Sequence, residues 1–205
     1  PGNYMEVETV GMCIIKKFIP SAENPKFVKL GRPGFDYDEN PNNFTNTVEG
    51  NILDWYSFTN KKVSIEAIED FNYHLALTDI HPKSGNEFIR YLYQNKKIDA
   101  IAYLRMAKNC EVINTIFEDD TWERNEVATT QQRTILLNKL VQITQRERNP
   151  YFKRKYAFLT IRLAYYAGKM DVIKNVFESN FNAGKKDYVY NWSLFFYNFT
   201  KSGAE

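Results

Sequence analysis

The sequence predicts an all-α fold of antiparallel helix hairpins preceded by an irregular N-terminal arm, and three observations carry that expectation. Prolines and glycines crowd residues 20–41; apolar residues recur at i, i+3 and i+4 spacing from residue 50 onward; and glycines stand where helices should stop, at Gly168 and Gly184. The division that follows is an arm over residues 1–49 packed on the body and a helical domain over residues 50–205.

In the arm, "FIPSAENPKFVKLGRPGFDYDENPNNF" holds Pro20, Pro25, Pro33 and Pro41 with Gly31 and Gly34, which break helices and favour turns or extended chain. Phe27, Val28, Leu30, Phe35, Tyr37 and Phe44 recur through it, more apolar anchors than a solvated linker carries, so the arm is expected to lie ordered along the helices. Residues 7–18, "VETVGMCIIKKF", fit a short strand or a short helix equally.

The body then reads element by element. Ile52, Trp55 and Tyr56 share a helical face in residues 51–60, and Ser64 is a good N-cap for a helix over residues 65–77, whose stripe runs through Ile65, Ala67, Ile68, Phe71 and Leu75. Pro82 and Gly85 break that run; Asn86 opens "NEFIRYLYQN", and a turn of two or three residues leads into "KIDAIAYLRMAKNCEVINTIF", so these two helices must lie antiparallel. Acidic residues 118–126 read as a connection. Residues 129–149 form a helix with a stripe of Ile135, Leu136, Leu140 and Ile143, stopped by Asn149-Pro150. Residues 151–168 follow, ending at Gly168 in a left-handed position after the cap. A helix ending at Gly184 and a last one over residues 187–203 complete the chain.

Composition bounds the function. A chain of 205 residues buries a core without staples, and 14 Tyr, 15 Phe and 3 Trp mean that aromatic rings dominate its packing. Lys and Arg (27) nearly balance Asp and Glu (25), a net charge of +2 that argues against a nucleic-acid-coating protein. Cys13 and Cys110 match no redox or metal spacing and read as free thiols. No window approaches a membrane span. The chain begins at Pro1, as a processed product or a part of a longer chain would. The Asn-x-Ser/Thr matches at Asn43, Asn191 and Asn198 read as chance.

Residues 90–107, "RYLYQNKKIDAIAYLRMA", align with residues 162–179, "RLAYYAGKMDVIKNVFES", pairing Arg90 with Arg162, Tyr93 with Tyr165, Lys97 with Lys169, Asp99 with Asp171 and Ile101 with Ile173. Such an echo signals helix pairs that bury their apolar faces on one another. Aromatic residues late in the first helix, a tight turn at Gly168 and an acidic start to the second helix at Asp99 and Asp171 resemble tetratricopeptide-like helical repeats. The resemblance covers two stretches of about 20 residues. It implies a right-handed stack with a concave face for a protein or peptide.

For chemistry, no glycine-rich phosphate loop, HExxH, GxSxG or clustered-cysteine motif is present, and no cofactor is expected. Asp70 and His74, four apart on one helix, with His81 beyond its end, are the best set for a metal-assisted hydrolase, weighed against an ordinary surface histidine among solvated acids. Arg146, Arg148, Lys153, Arg154 and Lys155, interleaved with Tyr151, Phe152 and Tyr156, are the best set for RNA, weighed against charges balanced within the fold by acidic residues 111–126. In the last helix, Tyr188, Trp192, Phe195 and Phe199 make one stripe and Tyr190, Leu194 and Tyr197 a second, and the second is the candidate interface. The expected role is therefore a non-catalytic scaffold that docks a protein or peptide, with Tyr93, Arg162, Tyr165, Tyr166 and Trp192 as its contact residues.

Overall fold

A computed structural model describes residues 50–115 and 126–201, and among them the chain is entirely helical. Eight helices follow in order: α1 (Gly50–Phe58), α2 (Ile65–His74), α3 (Glu87–Gln94), α4 (Ile98–Thr115), α5 (Glu126–Arg146), α6 (Pro150–Tyr166), α7 (Met170–Phe181) and α8 (Tyr188–Phe199). The arm and residues 118–125 of the acidic connection lie outside the described residues.

The helix starts follow from side-chain caps, each giving an acceptor to an otherwise orphaned N–H. Ser64 Oγ accepts from Ala67 N at 3.2 Å, Asn86 Oδ1 from Ile89 N at 3.2 Å, Asn149 Oδ1 from Tyr151 N at 3.0 Å and Asp187 Oδ1 from Tyr190 N at 3.1 Å. Pro150, expected to close the preceding helix, also opens α6, where its missing N–H costs nothing. Helix α2 stops three residues short of the expected end. Asp79 Oδ2 accepts from Ala76 N at 2.7 Å and recruits residues 77–79 into a separate 3-10 turn.

Three of the turns share one hydrogen-bond pattern. After α6, Gly168 (φ 66°) donates to Tyr165 O and Lys169 donates to Ala164 O; after α3, Lys96 (φ 51°) and Lys97 donate to Tyr93 O and Leu92 O; after α1, Asn60 (φ 54°) and Lys61 donate to Ser57 O and Tyr56 O. This is the paired 6→1 and 5→2 bonding of a Schellman cap, with a left-handed residue at its centre. The left-handed residues stand 36 positions apart (60 to 96) and then 72 (96 to 168). Gly184 is left-handed too (φ 111°), but it falls two residues past the α7 cap Asn182 rather than directly after it.

Helix α6 is the hub and packs against α4, α5, α7 and α8. Eleven of its seventeen residues are buried, including Lys155, Thr160 and Arg162, so polar groups had to be satisfied inside. Toward α5, Thr160 Oγ1 donates to Tyr156 O at 2.8 Å, which leaves the Thr144 hydroxyl as donor in the buried Thr144–Thr160 contact of 2.9 Å. Toward α1, α3 and α4 the core is aromatic: the fully buried Trp55 ring lies 5.3 Å from Phe58, 5.4 Å from Phe88 and 5.9 Å from Tyr103. Edge-on and tilted pairs of this kind each add about 0.5–1.5 kcal/mol beyond burial.

Two expected stripes are corrected. On α5 the buried face is Arg133, Leu137, Leu140 and Thr144, and Ile135 is 69% exposed. The inward face includes an Arg and a Thr that hydropathy alone assigns to solvent. On α8 the buried residues are Val189, Ser193 and Phe196, a face lying between the two expected stripes. The small Ser193 side chain sits at its centre, fully buried, where α8 lies on α6 and α7.

Candidate functional site

The metal candidates have other uses. Asp70 Oδ2 accepts from Asn86 Nδ2 at 2.9 Å, and the same Nδ2 donates to Ala67 O, which ties α2 to the start of α3. His74 is exposed, and the exposed His81 accepts a hydrogen bond from Lys83 N through Nδ1 at 3.2 Å. Among the described residues no group of three or more His, Cys, Asp or Glu is arranged to hold a metal ion.

The basic segment is corrected as well. Phe152 and Tyr156 are buried, and Tyr151 stacks on Phe58 at 5.3 Å, so these rings are core rather than platforms for bases. Arg154 pairs with Asp187 at 2.8 Å, and Lys155 is buried; Arg146 and Arg148 remain exposed.

The contact residues divide between two places. Tyr93 faces the 3-10 turn: its hydroxyl donates to Ile80 O at 3.3 Å and accepts from Arg105 Nη2 at 3.3 Å. The others gather where the end of α6 meets α8. Arg162, expected in a groove, is buried, with its guanidinium 6.0 Å from the Tyr166 ring. Tyr165 lies 5.7 Å from Tyr166, 5.1 Å from Phe196 and 5.3 Å from Phe199; Phe199 touches Phe195 at 5.1 Å, and Phe195 touches Trp192 at 5.9 Å. Tyr165 and Tyr166 are half-buried, whereas Phe199 is 40% exposed, and Met170, just past the Gly168 turn, is also exposed. The rings therefore run from core to surface and present an apolar edge with a cation beneath it.

A second constellation was hidden in the sequence. Lys155 enters a cage from α6, and its Nζ lies 4.4 Å from the centre of the Trp55 ring, 5.1 Å from Tyr151, 5.3 Å from Tyr188 and 5.6 Å from Tyr103. It donates to the Tyr188 hydroxyl and pairs with Asp54 Oδ2 at 2.8 Å. Asp54 also accepts from Tyr151 OH at 2.7 Å, and Tyr188 OH lies 3.1 Å from Asn51 Oδ1, so the cage binds α1, α4, α6 and α8 together. Ring faces attract a desolvated cation by as much as about 2 kcal/mol each.

Burial pulls the Lys155 ammonium below its ordinary lysine value, and Asp54 opposes that pull. Burial, then the Asp54 charge, pushes the Tyr151 and Tyr188 phenols well up, and burial does the same to Tyr103. All three tyrosines stay neutral around the cation, and Tyr151 and Tyr188 donate to Asp54. Lys155 sits in the run "KRK", whose hydropathy reads as a solvated turn; the signal that marks it lies in rings and an acid from distant segments. Elsewhere, burial pushes the Cys110 thiol up to about 12, which leaves it an inert core group.

Comparison of the chain with protein-family models, with curated proteins and with solved structures found no match.

Proposed function

We propose that this chain is a non-catalytic scaffold whose helix hairpins, similar to tetratricopeptide-like repeats, hold a protein or peptide segment bearing large apolar side chains. The observation that carries the reading is the aromatic edge at the α6–α8 junction, where Tyr165 backs an exposed Phe199. Rigid aromatic rings supported from below and open on one side are the groups that dominate recognition energies, because they lose little entropy on binding. The hairpin part of the reading draws on the shared caps at Asn60, Lys96 and Gly168 and their spacing in multiples of 36. Among the described residues no helix is long and apolar enough to cross a membrane.

The test is selection of random peptides on the immobilised full chain. Enriched peptides should carry aromatic or long aliphatic residues and should lose at least about tenfold in affinity, or about 1.4 kcal/mol, to Phe199→Asp. Absence of enrichment, or affinity unchanged by both Phe199→Asp and Tyr165→Ala, removes the reading.

A further inference from the structure

We infer that Trp55, Tyr103, Tyr151, Tyr188 and Asp54 form a binding site for alkylammonium ions in general, and that Lys155 is its tethered occupant. Three of the four rings and the carboxylate come from helices other than the one that carries the lysine. The cage is thus built by the fold around a cation and not by the local sequence of α6. What the cage recognises is a positive head: four ring centres lie within 5.6 Å of Nζ, and a single carboxylate oxygen and a phenol oxygen complete the shell. Rings in this number around one charge are the means by which proteins recognise quaternary and substituted ammonium groups. The carboxylate marks an approach from solvent, since the Asp54 side chain is 28% exposed while that of Lys155 is 3% exposed. With the lysine removed, a small organic cation has both a reason to enter and a wet edge to enter by.

The experiment is chemical complementation of the full chain. In Lys155→Ala, n-butylammonium chloride should raise the melting temperature saturably, by about 3–6 °C at ten times its dissociation constant. Sodium chloride and 1-butanol, the neutral isostere, should not, and adding Asp54→Asn should abolish the response. An equal response to 1-butanol, or none in a Lys155→Ala chain with native helical circular dichroism, overturns the inference. Should Lys155→Ala lose its helices, recovery of native helical circular dichroism in n-butylammonium chloride but not in sodium chloride or 1-butanol supports the inference, and no recovery overturns it.

Discussion

Helix α6 uses the same materials in opposite ways at its two ends. Near its start, Lys155 is enclosed by four rings and a carboxylate, so the rings are saturated by an internal charge. Near its end, the Tyr166 ring lies by the buried Arg162 guanidinium, and the ring contacts continue outward through Tyr165 and Phe199 to the surface. What separates the two is where their ring contacts lead. Asp54 and Tyr188 close the first group around its cation, whereas the second passes from buried Phe196 to exposed Phe199 along α8. Aromatic-basic composition therefore does not distinguish an internal clasp from an outward-facing edge; the course of the ring contacts, closed around Nζ or running out to Phe199, does.

The contrast is broken most sharply at Asp54. Asp54→Asn leaves Lys155 a buried cation without its counter-charge and should cost about 3 kcal/mol in urea unfolding, the lower end for such pairs because Asp54 touches solvent. Lys155→Met, which fills the same channel without charge, should cost only about 1 kcal/mol. If the two cost the same, the cage is holding a methylene stem and not a charge.

Alkali sharpens the same point. Tyr103, Tyr151 and Tyr188 have folded values raised above the usual 10, so their contribution to stability is full below pH 10 and is lost as pH rises toward those folded values. Each group adds about 1.4 kcal/mol of loss per pH unit above 10, and Tyr151→Phe should flatten the fall of the unfolding free energy, read from urea titrations, by that amount. Lys155 acts with the opposite sign. Its lowered value means that the unfolded chain binds the extra proton, so its term gains stability as pH rises toward 10.5. The Lys155→Met chain should lack that gain.

A smaller effect is expected at the turns. Gly168→Ala meets no atom within 4 Å, so its expected loss of about 1 kcal/mol is purely that of a side chain at φ 66°. Lys96→Gly at the equivalent turn should gain up to about 1 kcal/mol, and differential scanning calorimetry reads both. Least of all, Phe199→Ala should change stability by about 0.5 kcal/mol, as befits an exposed residue, while weakening any selected peptide. A large stability loss there would show the outer edge to be core after all.

Much of the helical framework was legible because its signals are local. Ser64, Asn86, Asn149-Pro150 and Gly168 act within four residues of themselves, and each performs the cap its type suggests. Stripes failed where a polar residue is buried for a tertiary reason: Arg133 donates to Tyr166 O, and Thr144 meets Thr160, which turns α5 so that Ile135 faces out. The expected contact residues fall in different surroundings. Tyr165, Tyr166 and Trp192 do join one ring network, but Tyr93 serves the 3-10 turn, and Arg162 is buried beneath the edge. Lys155 could not be read, since its partners lie 101 positions before it (155 to 54) and 33 after it.

The hydrogen bond between Asn51 and Tyr188 spans 137 positions, and Gly50 lies so close that a methyl group there would stand 3.0 Å from Tyr188 Cβ. During synthesis at roughly 5–20 residues per second, α1 therefore waits about 7–27 s before its last partner has been made. Asp54 gains Lys155 33 residues earlier than Tyr188, and until residue 188 is made Trp55 lacks part of its enclosure. The early helices can form through their own caps, whereas the clasp closes only after the far end has been made.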